Sequence, residues 1–294
     1  MAGQLTAAGA PAARAAAPEE HATDRVETAL LVEGVYRRFG VDLRGFDQPR
    51  LAARLAAFIA RKGIDSISSL QGRVLRDDEL ARETLRFVAE STGAMAADGH
   101  AFTALRCAAL PVLRSASWPV IWVAECGDAE LVLQLAAMLD EEALLRRALL
   151  FVTHANEDLL AATAALRIGA RQLDGLEARH AKAGGKRALR DYLEGDGDAY
   201  RVRPAFRSGI VFCQYDLSSD ASFRECHAIV CARPLHDFDG ALQSRALEIF
   251  SSSLCNFGIL QVEAPAGILH SALRRDFACV LAEQGVYRRL PAGI

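Results

Sequence analysis

The residues best placed to do chemistry lie in 120-VIWVAECGDAELVLQLAAML-139, where a buried-looking apolar run meets a turn and then a helix-periodic stretch. A ligand held after such a strand needs close backbone approach, which favours glycine, and a helix N-terminus, which favours negative charge. The turn after Ala124 is Glu125-Cys126-Gly127-Asp128-Ala129-Glu130, with a single glycine among three carboxylates. Glu130 could hold an amino group. Its plainer role is an acidic residue favoured by the helix macrodipole. Cys126 has no base beside it in sequence, so a small buried residue is expected rather than a nucleophile. Cys226, His227 and Cys231 are metal-ligand types, but strung along one strand they do not all share a face, and no metal site is expected. No catalytic residue is assigned.

The elements that position these groups are of two kinds. Residues 24–91 read as helical throughout. Asp24 is a candidate cap for 25-RVETALLVEGVYRRFG-40, which closes in a glycine. Pro49 suits the first turn of 50-RLAARLAAFIARKG-63, whose Leu51, Leu55, Phe58 and Ile59 share an apolar face. On that helix Arg50, Arg54 and Arg61 fall within about 40° of one another and make a basic stripe. Two short helices are expected over 65–91, and a linker with a helix over 92–118. From 119 to the end, strands at 119–125, 148–154, 209–215, 226–232 and 257–263 alternate with helices at 130–148, 157–170 and 240–254, while 171–208 reads as polar loop. Such alternation predicts an α/β fold with a doubly wound, mostly parallel Rossmann-like sheet behind a small helical domain. Ligands in such sheets bind at strand carboxyl ends near a topological switch point, here near 124–130, 154, 216 and 232–236.

Composition narrows the classes. Of 294 residues, 51% are hydrophobic and 24% charged, as in an ordinary globular protein, and the formal charge of −3 gives no pull toward nucleic acid. No apolar run is long enough to span a bilayer, so no membrane insertion is expected. Seven scattered cysteines without a CxxC pair suit reduced thiols in the cytoplasm. Residues 1–23 are biased to Ala and Pro, as in a flexible tail rather than a signal peptide.

With these words in order, residues 28–290 resemble the CheR-type protein-glutamate methyltransferases, which use S-adenosylmethionine to esterify glutamates on receptor helices. The family's R-L-x-R-R-L word looks like Arg50 to Leu55. Its I-W-S-A-G-C-S-T-G-E-E-P-Y-S-L-A word looks like Ile121 to Ala136. Its A-T-D word resembles Val152-Thr153-His154, and its V-x-F…N-L word resembles Val211-Phe212 followed by Asp216-Leu217. Its D-L-I-F-C-R-N-V-L-I-Y-F word resembles His227 to Phe238, and G-G-x-L looks like Phe257 to Leu260. The resemblance implies a methyltransferase-like sheet over 119–294. It also implies a cofactor position formed by Ala124, Glu125, Cys126, Glu130, His154, Asp216, Leu217 and Arg233, and a protein partner met by the helix bearing Arg50, Arg54 and Arg61.

The departures gather where the cofactor would touch. Glu125 and Ala129 replace loop glycines, His154 replaces the ribose-binding acid, Asp216 an asparagine, and Ala232-Arg233 an Arg-Asn pair. The arginine of the family's T-x-x-F-R word is absent from 92-TGAMAADGHAF-102, where Ala96 or Ala97 stands in its place. Each loss costs about 1–3 kcal/mol, and micromolar binding is worth only about 8 kcal/mol. The leading expectation is therefore a CheR-like regulatory or scaffold protein of a bacterial chemosensory-type pathway, with a degenerate donor site and a receptor-like or signalling partner. One alternative is an active S-adenosylmethionine-dependent glutamate O-methyltransferase, since methyl transfer to a carboxylate asks mainly for positioning. Another is a pocket reshaped for an anionic nucleotide-like ligand through His154 and Arg233, which otherwise simply fill vacated space.

Overall fold

The N-terminal helices close where side chains can replace missing backbone partners. The computed structural model describes residues 18–90, 99–195, 198–263 and 275–291, with side chains described from residue 23. Its first helices are α1 (Pro18–Phe39), α2 (Gln48–Lys62), α3 (Ile67–Val74), α4 (Asp78–Ala89) and α5 (Gly99–Ser115). Asp24 lies inside α1 and caps nothing; its carbonyl accepts from Thr28 Oγ1 at 2.7 Å. In α2 the cap is Asp47, whose carboxylate accepts from Arg50 N, Pro49 lies in the first turn, and Gly63 ends the helix with φ 63°. Ser66 and Asp77 cap α3 and α4 in the same way. Leu31, Leu55, Phe58, Leu70 and Val88 close a core shared by these four helices.

The sheet region continues as β1 (Val120–Ala124), α6 (Ala129–Glu141), β2 (Leu149–His154), α7 (Glu157–Ala164), β3 (Arg167–Gly169) and α8 (Ala170–Lys182). It ends with β4 (Leu193–Glu194), β5 (Ala199–Val202), β6 (Ile210–Gln214), β7 (Cys226–Cys231), α9 (Gly240–Ser253), β8 (Leu254–Gln261), β9 (Phe277–Leu281) and β10 (Val286–Arg289). Seven strands form one sheet in the order β6-β2-β1-β7-β8-β10-β9, parallel from β6 to β8, with β10 antiparallel to both neighbours. The expected mixed α/β fold with a mostly parallel sheet is present. The order of crossing reverses at β1, which lies between β2 and β7, so the carboxyl ends of β1 and β7 form the switch point. Alternation along β1 sends Ile121 and Val123 to one core, and Val120, Trp122 and Ala124 to the other. Trp122 donates to Thr153 Oγ1 at 2.8 Å and stacks on Phe223 at 4.5 Å.

Three expectations are corrected. The helix expected over 130–148 stops at Glu141, where Ala143 turns left-handed (φ 54°). The helix expected over 157–170 stops at Ala164, and Leu166 (φ 48°) turns the chain into β3. Segment 171–208 is no loop: it holds α8 and strands of a small antiparallel sheet ordered β3-β5-β4. Helix α8 buries only the narrow stripe of Leu173, Leu176 and His180, which hides it among polar residues.

The helical layer meets the sheet across a short antiparallel seam. Phe46 bridges Phe238, Asp47 N–H donates to the Asp237 carbonyl at 2.9 Å, and Asp239 N–H donates to the Gly45 carbonyl at 2.8 Å. The two phenyl rings meet edge to face at 5.6 Å.

Candidate functional site at the carboxyl end of the sheet

Immediately after β1 the chain turns through Glu125 with φ 52°. Glycine enters this left-handed region freely, whereas an L-residue pays about 1–2 kcal/mol. The backbone thus keeps the form of a glycine loop while carrying a buried glutamate. Cys126 N–H donates to the Thr153 carbonyl at 2.9 Å, and burial pushes its thiol up to about 12, so the thiolate of a nucleophile is not available. Asp128 caps α6 through Glu130 N at 2.8 Å, and burial raises its carboxyl above the ordinary range. Glu130 is raised too, by burial and then by Asp128, and it ion-pairs with Arg179 Nη2 at 2.8 Å.

The other strand ends supply the rest. At the end of β2, His154 Nδ1 accepts from Asn156 N–H at 2.8 Å. That bond leaves a neutral ring with its proton on Nε2, and burial holds the pKa below the ordinary value. After β6, Asp216 Oδ1 accepts from the N–H and the hydroxyl of Ser218 at 2.8 and 2.7 Å, so its carboxylate closes a turn, and Leu217 is buried behind it. After β7 comes Arg233, 1% exposed. Its Nε stands 3.4 Å from Glu125 Oε2, its Nη1 is 3.3 Å from Asp237 Oδ2, and its Nη2 donates to the Ala89 carbonyl at the end of α4. The guanidinium also lies over Phe46, 5.3 Å from the ring centre.

Most of the expected cofactor residues therefore come together, in two groups. Glu125 stands between His154 and Arg233, its Oε2 4.0 Å from His154 Nε2 and 3.4 Å from Arg233 Nε. Ala124, Cys126 and Leu217 are core residues beside them. Glu130 belongs to a separate cleft of about 480 Å³ with Arg86, Glu90, Gly127, Arg167 and Gln172. A second cleft of about 450 Å³ holds Phe46, Leu85, His154, Asp216 and Phe238. Ala89, Glu125 and Arg233 line the second cleft, while Glu90, Gly127 and Ala232 line the first, so the Ala89–Arg233–Glu125 contact lies where the two clefts adjoin.

Two expectations fail on this geometry. His154 and Arg233 do not offer positive charge to an anion: the imidazole is neutral, and the guanidinium is buried and committed to two carboxylates and a carbonyl. Nor do Arg50, Arg54 and Arg61 make one exposed stripe. Arg54 turns inward, donating to the carbonyls of Phe87 and Glu90 at the end of α4, while Arg50 and Arg61 stay exposed and Arg61 lies over the Phe87 ring at 5.0 Å. The alanines standing for the cofactor arginine, Ala96 or Ala97, lie outside the described residues. Among the described residues no cluster has the makings of a metal site. Sequence reading missed Asp237, although the family word has a tyrosine there and Arg233 lies four residues before it. It also missed Ala89 and Phe46, which no motif marks.

No family model matches the sequence. Over 272 residues the chain is 28% identical to a candidate methyltransferase, Cher3 of Pseudomonas putida, covering 92% of this chain and 98% of that protein. The resemblance to a CheR-type methyltransferase extends over nearly the whole length, helical layer and sheet alike. Among solved structures, the DszA carbon methyltransferase aligns at 14% identity and a TM-score of 0.33 over 87% of this chain, which spans 55% of that one. An O-methyltransferase family 2 protein from Planctomyces limnophilus, in complex with apigenin, aligns at 13% identity and a TM-score of 0.35, covering 92% of this chain and 80% of that one.

Proposed function

We propose that this CheR-like protein does not use S-adenosylmethionine and works as a non-catalytic regulatory or scaffold protein in bacterial chemosensory-type signalling. The observation that carries the reading is the contact of Arg233 with Glu125 and the Ala89 carbonyl where the two clefts adjoin. S-adenosylmethionine is long, with a nucleoside at one end and an α-amino acid at the other. A donor lying over the turn after β1 would meet the buried Glu125 carboxylate where it needs room for its own, and would have to pass through the Arg233 guanidinium. The chain's own groups do not fit it. Replacement of the family's groups by residues that contact one another supports a rebuilt site over one eroded at random: Glu125, Arg233 and Asp237 form one chain of ion pairs. Arg50 and Arg61 remain an exposed basic pair for a protein partner. Seven free thiols support a reducing cytoplasm, and no helix among the described residues is long and apolar enough to cross a membrane.

Titration calorimetry with S-adenosylmethionine and S-adenosylhomocysteine to millimolar concentration, on protein shown to be folded, tests this directly. The expected result is no saturable heat, and saturable binding overturns the reading.

Two observations favour the other reading, an active protein-glutamate O-methyltransferase acting on a receptor-like helix: the similarity to Cher3, and the Glu125 backbone, which still has the form of a glycine loop. In that case Glu130 would hold the donor's amino group from the neighbouring cleft, after release from Arg179. Glu130→Ala would then abolish donor binding, whereas a non-catalytic protein shows none to abolish.

A further inference from the structure

Two arginines from opposite layers converge on the same helix end. Arg54, from α2, donates to the carbonyls of Phe87 and Glu90, and Arg233, from the end of β7, donates to that of Ala89. The last carbonyls of a helix have no partner within it and carry the negative end of its dipole, so a guanidinium is well suited to them. Arg54 serves this purpose within the helical layer. Arg233 does so across the seam, held from behind by Glu125 and Asp237 and flanked by the Phe46 ring. The rest of the seam is the Phe46–Phe238 edge contact, the amides of Asp47 and Asp239, Leu242 against Gly45, and α4 against α7.

We infer that Arg233 is an interlayer clasp whose grip on the Ala89 carbonyl keeps the helical layer shut on the sheet and the carboxyl-end cleft divided in two. The inference rests on the reading above that the chain's own side chains fill this cleft, and adds what they control. When the clasp opens, the Ala89 carbonyl is freed, the two clefts become continuous, and the helical layer is held by the seam alone. Cleft access and helical-layer position are then one equilibrium. A protein partner that draws α2 and α4 away from the sheet opens the cleft, and a molecule that enters the cleft loosens the layer, by the reciprocity that binds any two linked sites.

Hydrogen–deuterium exchange on the full-length protein reads this at single amides. The seam reporters are Asp47 N–H and Asp239 N–H, and the reference is the ladder of β1 with β7. The test variant is Glu125→Gln/Arg233→Met/Asp237→Asn, which removes the charges together and leaves no unpaired buried ion. Arg233→Lys is the second variant, keeping the charge while losing the planar fork that spans two carboxylates and a carbonyl. In both, exchange at the seam reporters rises about tenfold or more relative to the β1 and β7 amides, as expected for a local opening. Unchanged seam amides overturn the clasp. So does an equal rise at seam and strand, since Arg233 would then support the whole fold rather than the closure. Calorimetry on the unaltered protein decides the donor question separately, so a failure of either proposal leaves the other legible.

Discussion

The molecule buries a second arginine among carboxylates, and the two sites are built differently. Arg106 of α5 reaches Glu141 at 2.9 Å and Glu142 at 3.0 Å, at the end of α6. Glu141 also accepts from His180 Nε2 at 3.0 Å and from the N–H groups of Lys186 and Arg187 at 2.8 and 3.0 Å. Its carboxylate is fully supplied with donors and ties α5, α6 and α8 together. Both sites leave a buried arginine nitrogen without a hydrogen bond, Arg106 Nη1 in one (with His180 Nδ1 beside it) and Arg233 Nε in the other, but around Arg233 the ion pairs are longer, 3.3 and 3.4 Å. Buried ion pairs repay their desolvation only when geometry and extra hydrogen bonds are good. The Arg106 site has the marks of a structural staple. The Arg233 site, at the switch point, is maintained with poorer bonding, as expected where access rather than stability is served.

The largest effect that separates them is on stability. Arg106→Ala leaves a fully buried Glu141 carboxylate and costs about 3–5 kcal/mol by urea denaturation. At the Arg233 site the charges must be removed together, and Glu125→Gln/Arg233→Met/Asp237→Asn, which leaves no unpaired buried ion, costs less than this. An equal or greater loss at Arg233 would erase the distinction.

Acid sharpens the comparison next. Burial pushes Glu142 up, but hydrogen bonds from Lys186, Arg114 and Arg106 outweigh it and hold the carboxyl down to about 2, below its ordinary 4.5. A folded pKa below the unfolded one means its stabilisation is complete above about pH 4.5 and is lost as pH falls toward 2. The stability gap between the parent protein and Glu142→Gln therefore narrows over that window, and a gap independent of pH would contradict the assignment. The smallest effect belongs to Glu125→Gly. Relief of the left-handed backbone returns about 1 kcal/mol against loss of the Glu125 pair, and Arg233 keeps Asp237 as partner, so thermal unfolding moves less than for Arg106→Ala.

Much of the sheet was legible because each core strand is a short apolar run bounded by turn residues, and α2, α3 and α4 because caps and apolar stripes agree. The β3-β5-β4 sheet was not, since its strands are two to four residues long and carry Arg167, Arg201 and Glu194. Glu125, His154 and Arg233 were legible as changed positions at strand ends. That Glu125 stands between the other two was not, because Glu125 and Arg233 lie far apart in sequence and only the adjacency of β1 and β7 brings them together. Arg54 misled for a related reason: helical periodicity gives the direction of a side chain, but not whether a neighbouring helix end waits to receive it.

The left-handed turn at Glu125 has a consequence for how this position tolerates change. Residues with a Cβ pay a backbone toll there, so substitutions are ranked by the size of that toll and by what their side chains return. Glycine avoids the toll. Asparagine and aspartate lessen it, and only an acid long enough to reach Arg233 repays it. Saturation mutagenesis at this codon should leave a sparse set of survivors, in which valine and isoleucine, at home in the strand one residue earlier, are the worst choices.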